Sequence, residues 1–151
     1  MSSLYPTNPY ADAHIDPRGS GDARPTAIQI IHDEGLVNGM VGKAMLVTGS
    51  TSGIGVETVR ALHWTGADIY MQARDLKKAE TVRDDTLGSS QGTGKLEIVL
   101  MDLNSLASVR EGVKDLLART QKVNVLINNA GTTRIYQLIT SFLVITYANA
   151  V

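Results

Sequence analysis

The sequence predicts an α/β fold, a doubly wound parallel sheet with helices on both faces. Three observations favour this fold. From Lys43 onward, short apolar runs alternate with segments of helical periodicity, as in successive β–α–β units. The runs are mostly aliphatic rather than alternately polar and apolar, which is typical of strands buried on both faces. A glycine-rich turn joins the first of these strands to the first helix.

The amino-acid composition excludes several classes of function. The chain has 151 residues, of which 43% are hydrophobic and 19% charged, with a formal net charge of −1. The absence of cysteine excludes disulfides, cysteine zinc sites and thiol catalysis, and it fits a reducing compartment, so we expect a cytoplasmic protein. The near-neutral charge argues against a nucleic-acid or anionic-membrane partner. His14, His32 and His63 are too far apart in sequence to predict a metal site.

The chain begins with a predicted flexible arm, residues 1–25. All four prolines lie in it, among Gly, Ser, Asn and Asp, a composition that cannot form a core. It lacks the basic leader and apolar run of a targeting signal. A short helix is predicted next, because Thr26 and Gln29 have the spacing of a capping box and Gly35 can end the helix.

Four strands are predicted after the short helix. Right-handed crossovers from the first strand place the second and third on one side of it and the fourth on the other, in the order 3-2-1-4. We expect the fourth strand to be an exposed apolar edge that promotes self-association. The predicted strands are residues 44–48, 68–72, 96–101 and 123–127.

Three helices connect these strands. The first is predicted over residues 53–64 and ends before Gly66, with His63 and Trp64 as surface or packing residues. The second is predicted over residues 75–86, followed by a flexible loop over residues 87–95. The predicted buried face of the first helix is Ile54, Thr58, Ala61 and Leu62. The predicted buried stripe of the third helix is Leu106, Val109, Val113, Leu116 and Leu117.

The glycine-rich turn is the most informative stretch. Glycines permit a tight turn and a close approach of the backbone to a ligand, and the following helix N-terminus attracts an anion such as pyrophosphate. The spacing is neither G-x-G-x-x-G nor that of the phosphate loop that ends in Lys-Ser or Lys-Thr. A turn that serves only packing is the alternative, which the preceding strand and the following helix disfavour. The stretch is Thr48-Gly49-Ser50-Thr51-Ser52-Gly53-Ile54-Gly55.

A second motif, Asn128-Asn129-Ala130-Gly131, directly follows the fourth strand. In this order, T-G-x-x-x-G-I-G and N-N-A-G resemble the short-chain dehydrogenase/reductase family over residues 40–131. The stretches LVTGSTSGIG, ARD and MDL are most similar to its retinol-dehydrogenase-like members, including fungal oxidoreductases. The resemblance implies a Rossmann-like fold, here incomplete. It also implies hydride transfer between a nicotinamide dinucleotide and an alcohol or carbonyl substrate that the sequence does not identify.

The resemblance also implies site residues. Asp102 and Leu103 would lie on the adenine side, although Asp102 as a cap of the helix near Ser105 is an alternative. Asn129 would be a structural or proton-relay residue, and Asn128 and Asn129 could instead satisfy backbone groups at the strand end. The pyrophosphate turn would be formed by Gly49, Gly53 and Gly55 and lined by Ser50, Thr51, Ser52 and Ile54. The nicotinamide-side ribose would be contacted by Asn128, Ala130 and Gly131.

Arg74 predicts a preference for NADP, with NAD as the alternative. Enzymes that prefer NAD commonly carry an acid at the end of the second strand, where this chain reads Gln72-Ala73-Arg74-Asp75. A guanidinium can bind a 2′-phosphate through two parallel hydrogen bonds. The alternative is that Arg74 pairs with Asp75.

The departure from the family lies downstream of N-N-A-G. The family's catalytic Tyr precedes a Lys by four residues, but no Y-x-x-x-K occurs here and the last lysine is Lys122. We therefore assign no catalytic residue. Residues 132–151 are an atypical apolar tail in which Arg134 is the sole charge, and its polar residues and length do not favour a membrane anchor.

The sequence thus predicts that residues 26–131 are the cofactor-binding half of an NADP-dependent oxidoreductase, truncated or misread before its catalytic Tyr-Lys pair and inactive alone. Two alternatives remain. The first is a non-catalytic dinucleotide-binding or interaction remnant, and the second is a membrane-tethered protein that uses its apolar tail.

Overall fold

The computed structural model describes residues 9–131 and the backbone of residues 144–147. A 3-10 helix, Asp12–His14, precedes the main elements. The helices are α1 (Ala27–Asp33), α2 (Ile54–Trp64), α3 (Leu76–Ser89) and α4 (Leu106–Arg119). The strands are β1 (Ala44–Val47), β2 (Asp68–Ala73), β3 (Leu96–Leu100), β4 (Val125–Asn128) and β5 (Val144–Tyr147).

The sheet has the order β3-β2-β1-β4-β5, and its first four strands are parallel. This confirms the predicted order 3-2-1-4. The expectation that β4 is an exposed edge is wrong for the described strands, because β5 pairs antiparallel with β4 and places Tyr147 opposite Val125. The pairing satisfies backbone groups that an edge strand leaves open.

The core has two layers, one on each face of the sheet. Alternate residues of β1 and β2 point to opposite faces, as the period of a strand requires. Val59 of α2 belongs to one buried cluster and Leu116 of α4 to the other. The α2 layer contains Met45, Val47, Val59, Ala67, Ile69, Met71 and Leu96. The α4 layer contains Ala44, Leu46, Tyr70, Val99, Met101 and Leu116.

The buried faces of α2 and α4 differ from the predicted ones. In α2, Ile54 is 79% exposed, and the buried residues are Gly55, Val59, Ala61 and His63. The cause is close docking, because a side chain at Gly55 would overlap the carbonyl oxygen of Gly49. In α4 only Leu116 of the predicted stripe is buried, and Gly112 meets the sheet where a Cβ would lie 3.0 Å from the Leu100 carbonyl oxygen. The predicted residues left exposed in α4 are Leu106, Val113 and Leu117.

His63 is anchored in the interior, at 1% exposure. Its Nε2 lies 3.0 Å from the Gly94 carbonyl oxygen, so Nε2 carries the proton, and Nδ1 accepts from Ser90 Oγ at 2.8 Å. Asn38 Oδ1 accepts from the Thr93 backbone N–H at 2.9 Å. The segment predicted as a flexible loop, residues 87–95, is shorter than expected because α3 extends to Ser89. The hydrogen bonds to His63 and Asn38 hold the rest of the segment in place.

The N-terminal segment contains a turn built around Asp22. Its carboxylate accepts from the backbone N–H groups of Arg18 and Gly19 and from the guanidinium of Arg24. The Arg24 hydrogen bond holds the pKa of Asp22 well below its usual range. The capping interaction predicted for α1 is confirmed, since Thr26 Oγ1 accepts from the Gln29 backbone N–H at 3.2 Å. Flexibility of the arm as a whole stays a prediction.

Strand β3 forms one edge of the described sheet, and an arginine covers its centre. Arg119 Nη1 donates to the outward carbonyl oxygen of Ile98 at 2.9 Å. Asp115 fixes the guanidinium from the preceding turn of α4, with a contact of 2.7 Å between its Oδ1 and Arg119 Nη2. The edge therefore has one of its carbonyl groups already bonded.

Candidate functional site

The site is built on the carboxyl ends of the parallel strands, beginning with the turn after β1. Gly49 has φ 65°, and a Cβ there would lie 2.7 Å from the Cα of Ala130. Gly53 has φ 56° and ψ −136°, a conformation that glycine adopts without strain. Gly55 has no room for a Cβ beside Gly49 and Asn129. The glycines therefore allow the first turn to lie directly against N-N-A-G.

Asn129 and Thr48 join the two motifs. Asn129 Nδ2 donates to the carbonyl oxygens of Thr48 at 3.0 Å and Gly49 at 3.2 Å. Thr48 Oγ1 accepts from the Ala130 backbone N–H at 3.0 Å. The Asn129 side chain thus has the structural role that the sequence left open, holding the end of β1 beside the end of β4.

Asp102 lies at the end of β3 and shapes the next turn. Its Oδ1 accepts from the backbone N–H of Asn104 at 3.0 Å and from Asn104 Nδ2 at 3.1 Å. The cap of α4 is Ser105, whose Oγ accepts from the Ser108 backbone N–H at 3.3 Å. The alternative in which Asp102 caps that helix is therefore wrong.

Arg74 follows β2 and is exposed. It has no ion-pair or hydrogen-bond partner among the residues that the structure describes. Asp75 caps α3 instead, accepting from the Lys78 backbone N–H at 3.1 Å. The alternative in which Arg74 pairs with Asp75 does not occur, and the guanidinium is available to a ligand.

These four segments enclose one cleft of about 790 Å³. It brings together most of the predicted cofactor residues. Ser50 is fully buried behind the turn, and Asn128 is exposed on β4 outside the lining. The lining residues are Gly49, Thr51, Ser52, Gly53, Ile54, Gly55, Gln72, Ala73, Arg74, Asp102, Leu103, Asn104, Asn129, Ala130 and Gly131.

Sequence reasoning missed three lining residues, Gln72, Ala73 and Asn104. A signal for them exists, since ligands of open α/β sheets bind at the carboxyl ends of the strands, and these residues lie at or just after the ends of β2 and β3. Gln72 in particular reads as a polar residue inside an apolar strand. Its amide forms hydrogen bonds with two other segments of the cleft.

The glycine-turn end of the cleft favours an anion. Among the described lining residues, Arg74 carries the only positive charge and Asp102 the only negative charge, so the preference comes from the backbone of the turn. In the described part of the chain, the backbone N–H groups of Thr51, Ser52 and Gly53 find no acceptor. The turn leads into the N-terminus of α2, where free N–H groups and the helix dipole attract phosphate. The residues present therefore fit a pyrophosphate-containing ligand.

A family model described as short chain dehydrogenase matches residues 43–142. The chain belongs to the short-chain dehydrogenase family. This assignment confirms the resemblance given by T-G-x-x-x-G-I-G and N-N-A-G, and the strand order 3-2-1-4 is that of its Rossmann-like fold. The family is one of oxidoreductases.

Curated relatives are fungal and animal members of this family. The short-chain dehydrogenase/reductase prx1 of Penicillium rubens is 41% identical over 122 residues, which cover 81% of this chain and 35% of that protein. Human retinol dehydrogenase 11 is 38% identical over 90 residues, which cover 60% of this chain and 28% of that protein. The chain thus spans about a third of the length of these relatives.

Solved structures show the same likeness. A metagenomic short-chain oxidoreductase in complex with NADP matches with a TM-score of 0.56 and 30% identity, over 62% of this chain and 41% of that one. L-sorbose reductase from Gluconobacter frateurii, complexed with NADPH and L-sorbose, has a TM-score of 0.56 and 26% identity, over 62% of this chain and 35% of that one.

The described residues form neither a metal site nor a membrane span. No group of three or more His, Cys, Asp or Glu residues there could hold a metal ion. No helix in the same part of the chain is sufficiently long and apolar to span a bilayer.

Proposed function

We propose that this chain binds NADP(H) in the cleft between the glycine turn and N-N-A-G. The free N–H groups of the turn and the N-terminus of α2 would bind the pyrophosphate. Asp102 and Leu103 would lie on the adenine side, and Ala130 and Gly131 on the nicotinamide-side ribose, whereas Asn128 lies outside the lining of the cleft. The two solved relatives named above carry NADP or NADPH, which supports this ligand class.

The observation that carries the preference for NADP over NAD is the guanidinium of Arg74, which has no partner within the described part of the chain. It lies at the end of β2, among the residues that line the cleft. A cation at this position compensates the charge of a 2′-phosphate, which NAD lacks. Asp75 caps α3 and forms no ion pair with Arg74.

Titration of the purified chain with NADPH and NADH, followed by nucleotide fluorescence, tests this proposal. Arg74→Ala removes a charged hydrogen-bond donor, so we expect NADPH affinity to fall by about 10- to 100-fold, with NADH affinity unchanged. Arg110→Ala is the matched control, since Arg110 is exposed on α4, away from the cleft. Equal affinity for the two nucleotides, or no effect of Arg74→Ala, would refute the preference.

We propose hydride transfer between NADP(H) and an alcohol or carbonyl for the whole protein, and no turnover by residues 1–151 alone. The 151 residues contain no Y-x-x-x-K, the pair that donates the proton in this family. Tyr10 and Tyr70, the tyrosines among residues 9–131, do not line the cleft. Tyr70 is 2% exposed, and its burial, with Glu97 and Asp68 nearby, raises the pKa of its phenol. A phenol of raised pKa is a poor proton donor near neutral pH.

The activity test follows NADPH absorbance with a panel of aldehydes, ketones and retinoids. We expect no oxidation above background from the 151-residue chain, because general acid catalysis typically contributes about 10²- to 10⁴-fold and the sequence contains no Y-x-x-x-K. Any turnover above background would contradict this, and turnover that survives phenylalanine substitution of Tyr136 and Tyr147 would show that another group donates the proton. A non-catalytic dinucleotide-binding protein is the second candidate, and tight NADPH binding without turnover by any longer product of the gene would favour it.

A further inference from the structure

Gln72 is a buried amide that links three segments of the cleft. Its side chain Oε1 accepts from the Gly49 backbone N–H at 2.9 Å, and its Nε2 donates to the Met101 carbonyl oxygen at 2.5 Å. Its own carbonyl oxygen accepts from Ser50 Oγ at 2.9 Å. The residue is only 4% exposed. These contacts join the turn after β1, the end of β2 and the end of β3.

The geometry makes the positions of these segments depend on each other. A primary amide is planar and rigid, so the atoms that bond to its oxygen and nitrogen keep a fixed separation. Gly49 opens the pyrophosphate turn, and Met101 directly precedes Asp102 on the adenine side. A buried amide that loses its hydrogen-bond partners costs free energy. This cost opposes any movement of the turn relative to β3.

We propose that Gln72 is a positioning residue that sets the pyrophosphate turn at the correct distance from the adenine-side turn for a dinucleotide. This inference rests on the proposed binding of NADP(H). A ligand that spans both turns benefits from their fixed separation, because its binding does not have to order them. A ligand that occupies only the adenine side gains nothing from that separation.

The test compares a ligand that spans both turns with a ligand that occupies only the adenine side. Gln72→Met keeps a side chain of similar length but removes both side-chain hydrogen bonds. The Ser90→Ala control removes a part-buried hydrogen bond, to His63, from residues that do not line the cleft. Affinities for NADPH and for adenosine 2′-monophosphate are measured by calorimetry, well below the melting temperature of each variant. Amide exchange of Gly49 is followed by NMR in the ligand-free chain.

We expect Gln72→Met to weaken NADPH binding about tenfold, to change adenosine 2′-monophosphate binding less than about twofold, and to accelerate exchange of the Gly49 amide. Ser90→Ala should lower the melting temperature and leave both affinities unchanged. Equal weakening of both ligands, or unchanged NADPH affinity with only a lower melting temperature, would show that Gln72 is merely structural. If the wild-type chain itself binds no NADPH, the proposed function fails, and the positioning role fails with it.

Discussion

Gly55→Ala tests whether the contact between the first turn and N-N-A-G is as close as described. A Cβ at Gly55 would overlap the Gly49 carbonyl oxygen and lie 2.6 Å from Asn129 Nδ2. Both neighbours are fixed, because Asn129 Nδ2 already bonds the Thr48 and Gly49 carbonyl oxygens. One added methyl group in such a site costs typically about 1–3 kcal/mol, and the gain in helix propensity offsets at most about 1 kcal/mol.

Gly88→Ala is the matched control, since Gly88 also lies in a helix and a Cβ there would meet nothing within 4 Å. It should stabilise the chain by up to about 1 kcal/mol. Urea and thermal unfolding, monitored by circular dichroism, measure both changes. We expect Gly55→Ala to lower the Tm by up to roughly 10 °C and to weaken NADPH binding. A Gly55→Ala variant as stable as wild type, with wild-type affinity, would show that the two motifs are not in contact.

Two further predictions follow from charged residues outside the cleft. Arg119→Ala should free the Ile98 carbonyl oxygen on the β3 edge and increase self-association, measured by light scattering. Arg83→Ala, a control on α3, should not increase it. Equal association of the two variants would show that the β3 edge is not the cause. Asp22 has a lowered pKa in the fold, so its stabilising effect is present above its unfolded pKa of about 3.9 and is lost as the pH falls through the folded value. Asp22→Asn should flatten the acid side of the stability profile below about pH 4, and an unchanged profile would refute this.

The fold followed from the sequence because its signals are local and agree with each other. Aliphatic strands, helical periods and a Gly-rich turn after β1 each predict the same β–α–β units. The buried faces of α2 and α4 could not be read in this way. Periodicity assigns apolar residues to the inside, but Gly55 and Gly112 take the inner positions because only a hydrogen fits there. Ile54 is displaced to the surface as a result.

The candidate site followed from sequence only where a motif marks it. The glycine turn, the last three residues of N-N-A-G, Asp102 and Arg74 are predicted to form one site, and they line one cleft. Gln72 carries no motif, since its role depends on which backbone atoms the sheet brings to its amide. The anchoring of His63 likewise depends on Ser90 and Gly94, which lie about thirty positions along the chain. Such tertiary partners are not encoded in any local pattern.

The bond between Thr48 and Ala130 joins residues 82 positions apart and closes the cleft between the central strand β1 and β4. No fragment shorter than this span can contain both of its walls. The cleft therefore forms only when β4 docks on β1, a step that must first meet the entropy cost of closing a long loop. A ligand held between these walls would bind the folded chain and not the unfolded one. It would therefore raise the free energy of unfolding of the whole chain by RT ln(1 + [L]/Kd). The concentration of nucleotide would then affect how much of this chain stays folded at equilibrium.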